Sequence, residues 1–401
     1  MQRDPELAQL IRAEADRQSS SLQLLAGENF TSATVMEALD SPLINKYAEG
    51  YPGRRHHGGC EVVDRIEDLA VRRAKDLFKC GYANVQPYSG TNAVLAAYWV
   101  LLEPGDKVLA MSRSVGGHFT HGLASNISGR TFDFAYYGVR ADTGIIDYDQ
   151  VRELAQRERP RVIVCGGNFY PRKIDYKSFR RIADEVGAFL IADCSHELGL
   201  IAGKAVPSPV PYADVVCAVT HKTLRGPRGG LLLSSPQMGA SLDAVVYPFF
   251  QGGPHLHTIA GKAAAFGEAS TPEFAAYAQQ TVKNAQMLAQ GLAERGLRLI
   301  TGGTDTHQMI ADVAPLGVSS AQARDRCRRS GIVLDVLPVH QKRGDCIRLG
   351  TAAMTSLGMR EAEMISIAEL IGRALVENNT GTAKRGVSEL LASFRSSPLA
   401  L

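Results

Sequence analysis

A lysine that follows an apolar strand and precedes a glycine-proline turn is the first feature of this chain with chemistry in it. The stretch reads Ala213-Asp-Val-Val-Cys-Ala-Val-Thr-His-Lys222-Thr-Leu-Arg-Gly-Pro-Arg-Gly-Gly230, so the cluster Thr220-His221-Lys222-Thr223 stands at a strand end beside a tight turn. α/β proteins keep their sites at such strand ends. A lysine partly desolvated there loses its proton and forms a Schiff base with an aldehyde, although a lone lysine is more often a solvated surface charge. Upstream, Ala188-Phe-Leu-Ile-Ala-Asp193-Cys-Ser-His196 is a buried-type strand that delivers a carboxylate at its C-terminal end. Asp-x-x-His alone could be a cap or a metal pair. Together with the lysine it matches the needs of pyridoxal 5'-phosphate (PLP), whose ring nitrogen must stay protonated if the ring is to draw electrons from a substrate Cα.

The elements around these two residues supply the remaining contacts. Ala83-Asn-Val-Gln-Pro-Tyr-Ser89-Gly90-Thr91-Asn92 passes from a short strand through a Ser-Gly-Thr turn into an apolar helix over 92–102. Unsatisfied N–H groups, the helix dipole and two hydroxyls make that start a phosphate site. Gly116-Gly117-His118 lets an imidazole approach a flat ligand, an ordinary turn histidine being the alternative. Residues 45–60, with Tyr47, Glu49, His56 and His57, form a long Gly-rich loop of the kind that carries function. Its paired histidines have no further ligands at helical or strand spacing, so no metal is expected. Arg348, on the short apolar strand Cys346-Ile-Arg-Leu-Gly-Thr351, has the chemistry of a bidentate carboxylate clamp.

Alternating strand and helix signals from about 83 to 235 predict a largely parallel, doubly covered sheet. Helices at 258–270 and 272–296 leave that domain. Strands near 297–301, 308–313 and 332–336, with helices at 319–329 and 360–377, predict a smaller α+β domain. The expected division is an N-terminal arm over 1–30, a large PLP-binding α/β domain over 31–265 and a small domain over 266–401. With 401 residues the chain is long enough for two cores, and a net charge of +3 with dispersed basic residues implies no nucleic-acid partner. No apolar run is long enough to span a membrane, and the polar N-terminus is unlike a signal peptide, so a cytoplasmic protein is expected. The seven cysteines are scattered without a C-x-x-C pair and are read as reduced core residues.

The motifs resemble serine hydroxymethyltransferase over nearly the whole chain. The resemblance is carried by Leu25-Ala-Gly-Glu-Asn-Phe-Thr-Ser32, Asn45-Lys-Tyr-Ala-Glu-Gly-Tyr-Pro-Gly53, Tyr82-Ala-Asn-Val-Gln-Pro87, Leu102-Glu-Pro-Gly-Asp106, Gly116-Gly-His-Phe-Thr-His-Gly122, Thr220-His-Lys-Thr-Leu224, Gly226-Pro-Arg-Gly-Gly230 and Gln251-Gly-Gly-Pro254. It implies a fold-type I, aspartate aminotransferase-like PLP enzyme acting on an amino acid. It further implies Lys222 as the Schiff-base lysine, Asp193 on the pyridine nitrogen, His118 stacked on the ring and His196 near the phenolic oxygen. Ser89, Gly90 and Thr91 would hold the phosphate, with His221 beside the cofactor. Arg348 would grip the substrate carboxylate. Tyr47, Gly253 and the acid/base Glu49 would come from a second subunit, which implies a homodimer with shared sites.

Several residues depart from the family pattern. Gly27 stands for a serine, His56-His57 for a tyrosine pair, and Asn168 for a serine near the ring. Cys217-Ala218-Val219-Thr220 replaces a threonine run, and a shorter Val336–Asp345 replaces an Asn-rich folate loop. The tyrosine pair normally contacts folate and aids proton transfer, so His57 is expected among the catalytic groups with Lys222, Glu49 and His118. His56, His57, Asn168 and Arg348 are the expected substrate contacts. The expected activity is a folate-independent relative, like those of lincosamide-type antibiotic biosynthesis, with chemistry on an S-substituted cysteine favoured. A genuine glycine/serine hydroxymethyltransferase, a threonine aldolase or transaldolase, and a non-catalytic PLP-binding regulator are the alternatives. The last would want a DNA-binding module and tolerate loss of Lys222, Glu49 or Arg348.

Overall fold

Short apolar runs bounded by polar turns become strands covered on both faces. Val162–Gly166, Val215–Val219 and Gly230–Ser234 are buried at every position, as runs without alternation require. The structure, a computed structural model, describes residues 4–340 and 343–394. Two compact units divide them: Thr31–Gln279, and the residues up to Phe30 together with those from Gln280 onward.

Among the described residues the Thr31–Gln279 unit holds a seven-stranded sheet. Its strands are β1 (Tyr82–Asn84), β2 (Lys107–Met111), β3 (Asp133–Tyr137), β4 (Val162–Gly166), β5 (Phe189–Asp193), β6 (Val215–Val219) and β7 (Gly230–Ser234), in the spatial order β1-β7-β6-β5-β4-β2-β3. Only β7 runs antiparallel to its neighbours; the pairs from β6 across to β3 are parallel. Crossover helices Tyr148–Glu158 and Tyr176–Val186 return the chain to the start of the next strand. The helix Gly90–Leu101 is apolar on most of its surface and joins Val108, Val164, Ile191, Cys217 and Leu232 in one core. The C-terminal ends of the parallel strands therefore lie along one edge, where the topology puts His118, Asn168, Asp193 and Lys222.

The second unit contains, among the described residues, a four-stranded antiparallel sheet ordered Arg298–Leu299, Gln308–Asp312, Arg343–Gly350, Asp335–His340. Helices Ser320–Arg329, Glu361–Leu375 and Thr380–Ala392 share its core with Met309, Ile347 and Leu349. The N-terminal segment belongs here because Leu22–Gln23 pairs in parallel with Ile332–Val333. The Gly350 N–H also donates to the Leu24 carbonyl at 2.8 Å. The expected boundary at 265/266 instead falls at 279/280. Residues just past 265 stay with the larger unit: the Tyr277 hydroxyl donates to the Thr223 carbonyl at 3.1 Å, and Phe274 and Tyr277 both carry the Arg225 guanidinium on their rings.

Candidate active site

The turn after β6 sets the position of Lys222. Thr220 donates its hydroxyl to the Pro227 carbonyl at 2.6 Å, and the Gly226 N–H donates to Thr220 O at 2.7 Å. Arg225 closes the turn with φ +61°, a left-handed conformation that non-glycine residues rarely adopt. Its guanidinium lies 4.3 Å from the Tyr277 ring centroid, a cation–π contact that offsets part of that strain. The Thr223 hydroxyl donates to the His196 carbonyl at 2.8 Å and accepts from the Gly199 N–H at 3.0 Å. Lys222 is thus pinned on both sides and half-buried.

A cavity of about 230 Å³ opens in front of it, lined by Ser89, Gly90, Thr91, His118, Asn168, Asp193, His196, His221 and Lys222, with Ser195 and Arg228 among the others. This is a small space, suited to one compact flat molecule. Asp193, the last residue of β5, is buried. Its Oδ1 accepts the Ser195 N–H at 3.0 Å, and its Oδ2 faces His121 Nε2 at 3.0 Å. The other nitrogen, His121 Nδ1, lies 2.7 Å from the Tyr98 hydroxyl. A proton on Nε2 satisfies both partners: the imidazole donates to Asp193 and accepts from Tyr98. Burial pushes the Asp193 carboxyl up, but the His121 hydrogen bond, the His121 and His118 rings and the Ser195 N–H together hold it far below the usual carboxylate range.

His121 and Tyr98 form a relay that sequence reading did not assign. The signal was present, because His121 sits three residues after His118 within the quoted Gly116–Gly122 motif. What was missing was the pairing that only the sheet creates. His118 itself has Nδ1 2.7 Å from the Thr120 hydroxyl, and burial is the main cause lowering it to about 4. An uncharged ring of this kind stacks on a heterocycle without repelling its positive end. His196 Nε2 donates to Asn168 Oδ1 at 2.7 Å, so two expected site residues form one pair.

The expected phosphate site lies at the start of the helix Gly90–Leu101. Ser89 caps it, accepting the Asn92 N–H at 3.2 Å. The first-turn N–H groups of Gly90 and Thr91 have no acceptor within a helix, and both residues line the cavity. A Cβ on Gly90 would stand 2.5 Å from Val219 Cγ1, so only glycine brings the helix start so close to β6. His221 also lines the cavity, and its buried Nδ1 has no hydrogen-bond partner. Burial, then Arg228, Lys222 and Lys262, lower it to about 3. An orphaned buried imidazole nitrogen, helix N–H groups, a hydroxyl, an ionised acid and an amine form a donor set that fits PLP.

The other expected residues lie elsewhere. Tyr47, Glu49, His56, His57 and Gly253 do not line this cavity but form a second group. The Tyr47 hydroxyl donates to Glu49 Oε1 at 3.2 Å, the Glu49 N–H donates to His57 Nδ1 at 3.3 Å, and the Tyr47 and His57 rings meet edge-on with centroids 4.8 Å apart. A Cβ on Gly253 would touch the Tyr47 ring at 3.1 Å, and His56 lies 5.8 Å from Tyr247. Arg55 anchors this loop through Asp64 at 2.8 Å and Glu67 at 2.6 Å. In the other unit, Arg348 is largely buried and its Nε donates to Asp335 Oδ2 at 2.9 Å, with Nη2 on the same oxygen. The two residues are direct partners across the hairpin. Sequence reading missed Asp335 because the register that faces it to Arg348 is not visible before the strands pair.

With this geometry the comparison with known families is decisive. A family model described as serine hydroxymethyltransferase matches residues 1–371, and the chain belongs to that family. It is therefore a fold-type I, PLP-dependent enzyme acting on amino acids. Among the described residues no helix is long and apolar enough to cross a membrane, and no group of three His, Cys, Asp or Glu is placed to hold a metal.

Proposed function

We propose that the enzyme works without folate, on an amino acid larger than serine, and breaks a bond at its Cα or Cβ. An S-substituted cysteine is the favoured substrate, by β-elimination or by decarboxylation with oxidative deamination in which dioxygen takes the two electrons, as in antibiotic biosynthesis. The observation that carries this reading is the antiparallel pairing of the strands Asp335–His340 and Arg343–Gly350. Where the resemblance expects an Asn-rich folate loop, a ladder runs from Asp335↔Arg348 to His340↔Arg343. It offers Val336 and Leu337 in place of amide side chains. The pair Gln341-Lys342 of that segment lies outside the described residues. His56, exposed beside Tyr247, supports the reading, because it replaces a folate-contacting tyrosine of the family with an imidazole able to meet a polar substituent such as a sugar.

When bound, PLP supplies an electron sink for negative charge at the substrate Cα. Ser89, Gly90, Thr91 and His221 would hold its phosphate, Asp193 its ring nitrogen, His118 one ring face and Lys222 its aldehyde carbon. His121 holds Asp193 in place from behind. Arg348 would take the substrate carboxylate, which must displace or share Asp335. The Lys222 amine would also be the base placed to move a proton at the substrate Cα. Glu49 and His57 would serve proton transfer from a partner subunit, together with Tyr47 and Gly253. Support for that homodimer is that this group stands outside the cavity of its own chain and that Ile44, Tyr47, Val62 and Phe249 are exposed. The seven free thiols suit a reducing cytoplasm.

A genuine hydroxymethyltransferase is the second reading, favoured by the presence of Lys222, Glu49, Asp193 and Arg348. The two readings separate in one assay of the holoenzyme. S-alkylcysteine should release thiol or carbon dioxide, and serine with tetrahydrofolate should yield no glycine. Glycine formation as the faster reaction would overturn the proposal.

A further inference from the structure

Lys262 is among the largest fully buried side chains of the protein, at 1% exposure, and it does not line the cavity. It projects from the helix Leu256–Ala269. Its ammonium donates to three backbone carbonyls: Val85 at 2.5 Å, Gly230 at 2.7 Å and Pro87 at 3.2 Å. Three acceptors around one nitrogen use all three N–H bonds of the charged form. A neutral amine would turn a lone pair towards one carbonyl.

Those carbonyls are not scattered. Val85 and Pro87 belong to the segment that leads from β1 into Ser89, the cap of the cradle helix, and Gly230 opens β7. The same segment is sewn up by further bonds. The Gly230 N–H donates to Pro87 O at 2.9 Å, and Gln251 donates to Gln86 O at 3.1 Å while accepting the Tyr88 N–H at 2.9 Å. Close packing extends to Gly229, where a Cβ would stand 2.8 Å from Lys262 Nζ. The charge is also felt at the cavity, since Lys262 is one of the cations that depress the protonation of His221. Burial lowers Lys262 to about 7 even with the Glu67 carboxylate on helix Glu61–Phe78 opposing it, and the three carbonyls around the nitrogen favour the charged form.

We infer that Lys262 is a positioning residue for the cofactor's phosphate: it clamps residues 85–87 to β7 from behind, so that Ser89, Gly90 and Thr91 face the dianion in fixed register, and it places a buried positive charge on the far side of that cradle. This rests on the assignment of Ser89–Thr91 to the phosphate. It calls for no contact between Lys262 and the cofactor.

The test compares PLP with pyridoxal, which lacks the phosphate, by titrating apo-protein of the wild type and of Lys262→Met, Lys262→Gln and Ser89→Ala. A phosphate-positioning residue acts on the ratio of the two affinities, which a merely structural residue leaves alone. Lys262→Met should weaken PLP at least tenfold while changing pyridoxal less than threefold, and Lys262→Gln, which keeps two donors, should recover part of the loss. Equal weakening of both ligands, or an unchanged ratio, would overturn the inference, as would failure of both Lys262 variants to fold, which would make the residue structural only. If Ser89→Ala leaves the ratio unchanged, the phosphate assignment itself fails; if Ser89→Ala lowers it and Lys262→Met does not, the fault lies with Lys262.

Discussion

At the scale of single residues, the account turns on how burial and partners fix protonation. Asp193 must stay ionised in a buried place, and the His121–Tyr98 pair behind it is the reason it does. Replacing His121 with Phe leaves a buried carboxylate oxygen short of a donor, costing about 1–3 kcal/mol. Cofactor affinity measured by titration should therefore fall by roughly tenfold or more, with His121→Asn losing less. Glu197 shows the opposite balance. Burial raises it from 4.5 to about 7 against the Tyr176 hydrogen bond, which runs 3.4 Å from hydroxyl to Oε2. The folded state then binds more protons than the unfolded one between those values, so stability should be full at low pH and fall as pH rises through 7. The loss is on the order of 3 kcal/mol. Thermal melts of Glu197→Gln should lack this slope, and an equal slope in the variant would remove Glu197 as its source.

Elements decide which of these residues can meet. The strand ends carrying Asp193 and Lys222 were legible because β5 and β6 are short apolar runs ending in polar clusters, and so was the Ser89 cap before its apolar helix. The edge strand Asp133–Tyr137 and the helix Tyr148–Glu158 gave no comparable signal. The strand's short Phe134-Ala-Tyr-Tyr137 run follows a charged residue and is only partly buried, and the helix buries just Val151 and Ala155, so neither shows the aliphatic run of a central strand or a broad apolar stripe. Contacts set by register, such as Asp335 on Arg348 or His121 on Asp193, could not be read from the chain because strand order and pairing had yet to be fixed. The turn after β6 makes its own prediction. Thr220→Val removes the buried donor to Pro227 O and should cost about 1–2 kcal/mol of stability. Turnover should fall with it because Lys222 loses its fixed place, and a melting temperature equal to wild type would contradict that role.

For the whole molecule, the question is whether two separate groups of residues in one chain serve one reaction through a partner chain. Lys222 lines the cavity, whereas Glu49, Tyr47 and His57 form a separate cluster on the same chain, with Tyr47 exposed and the other two half-buried. If a partner chain joins them, Lys222→Ala and Glu49→Ala are each inactive alone, yet mixing them under subunit exchange should restore about a quarter of wild-type activity, since half the dimers are mixed and each has one intact site. No recovery, with exchange verified by labelled subunits, would place both groups in one chain's site. The folate question is also one of the whole molecule, because it rests on the loop with His56-His57 and on the paired strands Asp335–His340 and Arg343–Gly350. The most direct measurement of it is a spectral titration of the holoenzyme with glycine, with and without tetrahydrofolate, following the visible absorbance of the bound cofactor. The account predicts that tetrahydrofolate leaves the response to glycine unchanged while an S-substituted cysteine alters the spectrum; a strong enhancement by tetrahydrofolate would contradict it.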